Sequence, residues 1–572
     1  MSTATGAPEV AMTDDYTTPE DHFGAVTIPE VVEAAAGSSR GIVLVDGHGQ
    51  DSPLPYRVVA AGARRVATAL AERGVQPGDR VALVSSTSAR LLLCLFGVWR
   101  AGAVPVVLAP PHRLAGLADL VADLRRRLDH ADARAVIVAD AFGGFIRKRV
   151  GSQRSIMTCG ELVTARRDAP PVLDPDPDAL ACLQFTSGTT GASRAVALSH
   201  RQFLTNAVVC SQRLMLDGDD SVHVSWAPLY HDLGLMATVA CTAARITLVL
   251  QAPETFLAAP DSWVDALSRH RATSTVTPNF AYGLAARSMQ TRPRPLDLSR
   301  LRVCGDGSEP TRAAEVRAFV EAGGRYGLRP EAMTAMYGLA EATLSVTMGS
   351  RTERLHWDHV ERDALAGGRA VPSAEGAPGT RTLAVCGTAV PGVEIAVTDE
   401  HGRPVADRVV GEVCVRGPSV MIGYWRDPEA TAAVFRDGWL RTGDLGYRME
   451  RGLVICGRLK NMIIVGGANL YPEDYEVVAG QAVGAEVICA AFAVPETERM
   501  IIVVEQVAGS DPAEVAKQVM ERLQADLRHA PDRVVVVRRN TIRRTSSGKV
   551  QRGRCRDGYV DGTLPVLAEL VR

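Results

Sequence analysis

The chain has 572 residues, 46% hydrophobic and 22% charged, a size and balance that suit a globular protein of two or more domains. A formal net charge of −2 argues against nucleic acid as the main partner. Eleven cysteines lie scattered without a C-x-x-C pair, which argues against a zinc ribbon or disulfide framework and suits a reducing cytoplasm.

The N-terminus has no basic region followed by an apolar stretch, so no signal peptide is predicted, and positions 1–24 read as a disordered lead-in. Tyr56 to Arg73 carries apolar residues at helical spacing and stops before Gly74. A strand follows at Arg80–Val84. The most apolar run, Leu91 to Trp99, is too short to span a bilayer and reads as a buried helix feeding the strand Val104–Leu108. Further strands are expected at Ala135–Val138, Ala179–Phe185, Ile246–Leu250 and Arg302-Val303. Strands alternating with amphipathic stretches predict an α/β fold with layered, largely parallel sheets. Gly349 to Leu383 is a long polar stretch that would ordinarily be a surface loop. From Gly411 the texture turns to compact β patterns, Glu412–Arg416 and Gly452–Cys456. Val487–Ala493 and Met500–Val507 then read as strands and Ala513–Leu527 as a helix, a smaller α+β unit. Arg528 to Arg556 holds many arginines and one acid, Asp532, which reads as a solvated face or a surface for an acidic carrier-protein helix.

Two segments carry the strongest chemical signal. Thr186-Ser-Gly-Thr-Thr-Gly191 crowds hydroxyls and glycines after an apolar strand, a composition able to turn several donors toward a phosphate chain. It is not a Walker A loop, because Ala192, Ser193 and Arg194 follow where Lys is required. Near the other end, Arg543-Arg-Thr-Ser-Ser-Gly-Lys549 offers one lysine after a flexible turn. Between them stand, in order, Ser225-Trp-Ala-Pro-Leu-Tyr-His-Asp-Leu-Gly-Leu235, Thr277-Pro-Asn-Phe-Ala-Tyr282, Gly307-Ser-Glu-Pro310, Met336-Tyr-Gly-Leu-Ala-Glu-Ala-Thr343, Thr442-Gly-Asp444 and Gly457-Arg-Leu-Lys-Asn-Met-Ile-Ile464. From about Tyr56 to Arg552 the chain resembles the adenylate-forming superfamily of acyl-CoA synthetases, peptide-synthetase adenylation domains and luciferases. Its motifs, with Asn469-Leu-Tyr-Pro-Glu-Asp474, are most similar to those of fatty acyl-AMP ligases.

The resemblance implies a large N-terminal domain of several subdomains over 25–458 and a mobile α+β C-terminal domain over 459–572, hinged at Lys460. It also implies a family-type insertion near 349–383 that restrains the C-terminal domain and disfavours coenzyme A. The implied reaction joins a carboxylate to the α-phosphate of ATP, releases pyrophosphate, and passes the acyl group to a carrier-protein phosphopantetheine thiol, a step used in polyketide and nonribosomal peptide biosynthesis. Such chemistry must hold the polyphosphate, align the carboxylate and neutralise charge in the transition state. By resemblance, Thr186, Ser187, Gly188, Thr189, Thr190 and Gly191 contact the β- and γ-phosphates. Tyr337, followed by Gly338, stacks on adenine, with Gly307, Ser308, Glu309 and Pro310 along its opposite face. Glu341 holds Mg²⁺, Asp444 accepts both ribose hydroxyls, and Arg458 supports the ribose side. His231 gates the acyl pocket, Lys549 bridges the substrate carboxylate and α-phosphate, and Asp232 receives no amine-reading role.

Two departures stand out. Arg194 occupies a stretch where relatives carry Pro, Lys and Gly, keeping the charge but changing its reach. Asp306 stands where relatives often have Asn; a buried carboxylate there needs a partner such as Arg, a proton, or a polar substrate to meet it. Coenzyme A as acceptor, an aromatic, amino or inorganic acid as substrate, and a non-catalytic nucleotide-binding scaffold remain as alternative readings.

Overall fold

A computed structural model describes residues 16–110, 117–150 (side chains from 121), 154–165, 175–186, 193–218, 220–465, 468–484, 487–494, 497, 499–544 and 549–572. Its centre is a nine-stranded sheet. In spatial order the strands are Thr388-Ala389, Ser345–Met348, Met333–Gly338, Val303–Asp306, Ser274–Thr277, Val222–Ser225, Thr247–Gln251, Gly41–Val45 and Asp51–Pro55. The six strands from Met333–Gly338 to Gly41–Val45 run parallel, and antiparallel strands close both edges. Inner strands such as Ser274–Thr277 and Val303–Asp306 are buried throughout, as expected of parallel strands covered on both faces.

A second, four-stranded parallel sheet joins Val104–Leu108, Arg80–Val84, Ala133–Val138 and Ser155–Thr158. The predicted helices beside it form at Tyr56–Glu72 and Ala89–Arg100, the latter capped by Ser88. They pack closely because Gly97 has no side chain; a Cβ there would lie 2.4 Å from Val66. From Glu394 to Arg458 the chain builds a five-stranded antiparallel sheet. The last unit is a four-stranded sheet, Cys489–Ala493, Met500–Glu505, Arg533–Val537 and Val566–Val571. Helices Pro472–Ala482 and Pro512–Asp526 cover one face and Arg552–Val560 the other. All eleven cysteines are free and buried.

Two expectations are corrected. The lead-in over 1–24 is not wholly disordered: Thr18 caps a helix Pro19–Phe23, Phe23 is buried, and Gly24 ends the helix in the left-handed region. Positions 1–15 lie outside the described residues. The polar stretch 349–383 is not a plain loop, because Trp357–Glu361 pairs antiparallel with Thr380–Ala384 around a short helix Arg362–Ala366.

That unit is fastened to the last part of the chain. Arg381 is buried, with Nε 2.9 Å from the Asp474 carboxylate, Nη2 donating to the Cys456 carbonyl, and its guanidinium 4.4 Å above the Tyr471 ring. Burial pushes the Asp474 carboxyl upward while Arg381 pulls it back. Outside this pair, Arg362 donates to the Asp526 carbonyl and Arg528 meets Asp363 at 3.2 Å. Ala366 packs against the C-terminal core.

Candidate active site

Several parallel strands of the central sheet leave by the same edge, and the motifs sit in the turns there. Ser274–Thr277 runs into Pro278-Asn279, Val303–Asp306 into Gly307, and Met333–Gly338 into Leu339. Val222–Ser225 leads to His231 at the cap of helix Asp232–Ala243. Open parallel sheets place ligands in the crevice beyond these carboxyl ends. A cavity of about 2040 Å³ occupies that position, lined by Thr186, His231, Gly307, Ser308, Tyr337, Gly338, Glu341, Arg458, Lys460 and Lys549. Residues separated by more than 360 positions in sequence therefore meet in one space.

On the adenosine side, Tyr337 donates from its hydroxyl to Asp444 Oδ2 at 2.8 Å, and Arg458 Nε lies 2.7 Å from Oδ1. Burial, then Asp444, drives the Tyr337 phenol far above its ordinary range, while Asp444 raises Arg458 against its own desolvation. Asp444 sits behind these two side chains and does not line the cavity itself. Each of its oxygens keeps a second lone pair. Gly338 is obligatory, since a Cβ there would fall 1.7 Å from the Leu344 carbonyl oxygen.

On the phosphate side, Ser187 to Gly191 lie outside the described residues. Their flanks close on each other: Thr186 N–H donates to the Arg194 carbonyl at 2.9 Å, and Ser193 Oγ to the Thr186 carbonyl at 2.5 Å. The Arg194 guanidinium lies 5.1 Å over the Tyr424 ring and 4.0 Å from Asp427. Tyr424 in turn donates to Glu341 Oε1 at 2.9 Å. The departure at Arg194 is thus tied to the candidate metal carboxylate through one aromatic residue. No group of three metal-ligating side chains occurs among the described residues. The Glu341 carboxylate, which lines the cavity and is joined through Tyr424 to Arg194, fits Mg²⁺, which takes one or two carboxylates and completes its shell with phosphate and water oxygens.

At the reaction end, Lys549 is half-buried. Desolvation, then Arg458, lowers its pKa, while Asp232, Asp444 and Glu309 hold it up. His231 Nδ1 lies 2.5 Å from Asp232 Oδ1, and the same carboxylate accepts from Leu233 N–H at 2.7 Å. Burial works against charge on Asp232, but His231, Lys549 and that N–H together hold it below the usual carboxylate range. Sequence reasoning gave Asp232 no amine-reading role, and its place is as the anionic neighbour of both His231 and Lys549.

Asp306 does not line the cavity and has no arginine partner among the described residues. It is fully buried, Oδ2 accepts from Asn279 Nδ2 at 2.5 Å, and Oδ1 has no hydrogen-bond partner among the described residues. Desolvation raises its pKa well above the ordinary value; Glu309 and Glu315 add to this, and Asn279 and Thr311 oppose it. Of the three outcomes open to it, an arginine partner, a proton or a polar substrate, this burial inside the wall and upward shift favour the proton. Glu309 is likewise structural, accepting from Phe280 N–H at 2.7 Å, and neither Glu309 nor Pro310 reaches the cavity. Tyr424 and the Glu412–Arg441 pair, whose carboxylate also accepts from Gly443 N–H, were missed from sequence. Neither has a local signature; only the folded chain brings them to the site.

The family profile described as AMP-binding enzyme matches residues 31–425. The chain belongs to the AMP-binding enzyme family. It is 31% identical over 566 residues to the long-chain-fatty-acid--AMP ligase FadD32 of Mycolicibacterium smegmatis, covering 89% of each chain. It is 30% identical over 565 residues to the medium-chain-fatty-acid--[acyl-carrier-protein] ligase JamA of Moorena producens, covering 91% of this chain and 92% of that one. Among solved structures, one from a study of fatty acyl-adenylate ligases of E. coli and L. pneumophila superposes with a TM-score of 0.86. That match has 29% identity and covers 95% of this chain and 99% of the other. No described helix is long and apolar enough to cross a membrane.

Proposed function

We propose that this protein activates a carboxylic acid, fatty or related, as its acyl-AMP and then delivers the acyl group to a carrier-protein thiol. One observation carries the reading: half-buried Lys549 shares a cavity with Tyr337, His231 and Arg458, and the charges of Asp232, Asp444 and Glu309 favour its protonated form. In the first step a carboxylate oxygen attacks the α-phosphorus of ATP and pyrophosphate leaves. Two anions must approach, and Lys549 is the cation that would sit between them, acting in a space where charge is weakly screened. Tyr337, Gly307 and Ser308 would cradle the base, and Arg458 would turn from Asp444 to the ribose so that Asp444 accepts the hydroxyls. Thr186 to Gly191 would hold the leaving phosphates, and Glu341 would hold Mg²⁺, which supplies charge neutralisation on the phosphate oxygens. In the second step the phosphopantetheine thiolate attacks the acyl carbon and AMP leaves.

The relatives' names and the docked 357–384 unit favour a carrier protein over coenzyme A. We read 25–458 as the N-terminal domain, 459–572 as the mobile one, and Lys460, in the turn Leu459–Asn461, as the hinge between their sheets. Free, buried cysteines suit a cytoplasmic setting. The test is ATP–pyrophosphate exchange over a broad acid panel, followed by acceptor assays with a holo-carrier protein and with coenzyme A. Acid-dependent exchange and carrier acylation are expected; rapid acyl-CoA formation would remove the carrier assignment.

A further inference from the structure

The cavity has an arm that the adenylation chemistry does not use. It runs from His231 along one face of the helix Asp232–Ala243, past Met236, Ala240 and Cys241, to a floor formed by Leu216, His223 and Ser345. From Leu233 to Cys241 is eight residues, roughly 12 Å at 1.5 Å per residue. An extended chain advances about 1.2 Å per bond, so the arm takes a tail of about ten bonds. Cys210 Sγ, on the helix His200–Arg213, lies 3.6 Å from Ser345 Oγ, which brings that helix to the same end.

His223 is the exception in this apolar arm. It is fully buried on the central strand Val222–Ser225, and Nδ1 lies 2.9 Å from Ser274 Oγ on the neighbouring strand. Nε2 makes no hydrogen bond among the described residues, although His223 lines the cavity. Burial lowers its pKa to about 4, so the ring is neutral near pH 7. Among the described residues, no charged side chain lines the arm beyond Leu233 to balance a charged tail. A neutral imidazole has one donor and one acceptor nitrogen, and Ser274 can satisfy either one. The nitrogen left for the cavity therefore donates in one tautomer and accepts in the other. A hydroxyl complements both; a carbonyl complements only the donor, and an ammonium would be buried without a counter-ion.

Resting on the proposed acyl-adenylating reading, we infer that the acid carries an uncharged hydroxyl near the far end of its tail, read by His223. The residue is a specificity determinant, remote from the reacting atoms. The experiment pairs hydroxylated medium-length acids, aliphatic and aromatic, with their deoxy twins in pyrophosphate exchange. It uses the wild type, His223→Leu and His223→Gln. One buried neutral hydrogen bond predicts about a tenfold preference in kcat/KM for the hydroxylated twin. His223→Leu should bring that ratio to about one by raising the hydroxylated acid's KM, and His223→Gln, whose amide reaches the Nε2 position, should restore part of it. A wild type that uses the deoxy acid equally well at every hydroxyl position overturns the inference while leaving adenylation intact. So does a preference that survives in a folded His223→Leu variant. Exchange with no acid at all overturns the adenylation reading and the inference with it. The wild-type ratio decides even where a variant fails to fold.

Discussion

Replacing Asp306 by Asn should stabilise the protein, and should do so increasingly as pH rises. The native carboxyl is fully buried, with Asn279 on one oxygen and no hydrogen-bond partner for the other among the described residues. Its pKa is raised in the folded state, so between the unfolded and folded values the native form binds more protons than the unfolded one. Stability is therefore unaffected below the unfolded value of about 3.9 and falls by about 1.4 kcal/mol per pH unit above it, until the native carboxyl ionises. A proton retained up to pH 7 sets an upper bound of about 4 kcal/mol. An orphaned buried polar atom alone sets a lower bound of about 1 kcal/mol. Asn has no such titration, keeps an oxygen for Asn279, and places an amide donor where Oδ1 now faces the field of Glu309 and Glu315. The assay is urea denaturation of both proteins from pH 5 to 8.5, followed by tryptophan fluorescence. Trp263 packs on Tyr282, whose hydroxyl donates to the Gly305 carbonyl beside Asp306, so the signal reports this part of the core. Acid preference in pyrophosphate exchange should stay within about twofold, because Asp306 does not line the cavity. A variant less stable at every pH, a difference independent of pH, or an altered acid preference would refute the reasoning.

Lys549→Ala should lower acid-dependent pyrophosphate exchange at least about a hundredfold while equilibrium ATP binding persists, since it removes the cation between two anions; unchanged exchange would refute the role. Burial lowers the Lys549 pKa, so exchange should decline on the alkaline side before a free lysine, near 10.4, would lose its proton; a pH–rate profile flat past that value counts against it. Gly338→Ala should abolish nucleotide binding by forcing a Cβ into the Leu344 carbonyl, measured by fluorescent-nucleotide titration beside a circular dichroism check. Arg381→Leu leaves buried Asp474 unpaired, with an expected loss of about 3–5 kcal/mol at that contact. Hydrogen exchange over 357–384 and 470–530 should quicken, and coenzyme A should become a better acceptor; unchanged exchange in both segments would show that the contact does not tie them.

Periodicity and motif order carried the chain a long way. The helix expected from Tyr56 to Arg73 ends one residue earlier, and the strands Arg80–Val84 and Val104–Leu108 form over the predicted residues, because burial on both faces demands continuous apolar runs there. The α/β class, the parallel sheet and the motif-bearing turns were likewise legible, since each depends on residues near in sequence. What the sequence could not determine depends on side chains meeting from distant segments. Asp306 left an arginine partner, a proton or a substrate contact open, and only burial beside Asn279, Glu309 and Glu315 turns it toward the proton. Asp444 looked open to ribose, yet Tyr337 and Arg458 cover it. The 349–383 stretch looked like a loop because its partners, Asp474 and Asp526, lie about a hundred residues or more further on. His223 is one buried histidine in a strand pattern until the fold places it at the floor of the tail arm. Local patterns determine which elements form; desolvation and charge pairing, which depend on the whole packed environment, decide what each polar side chain can do.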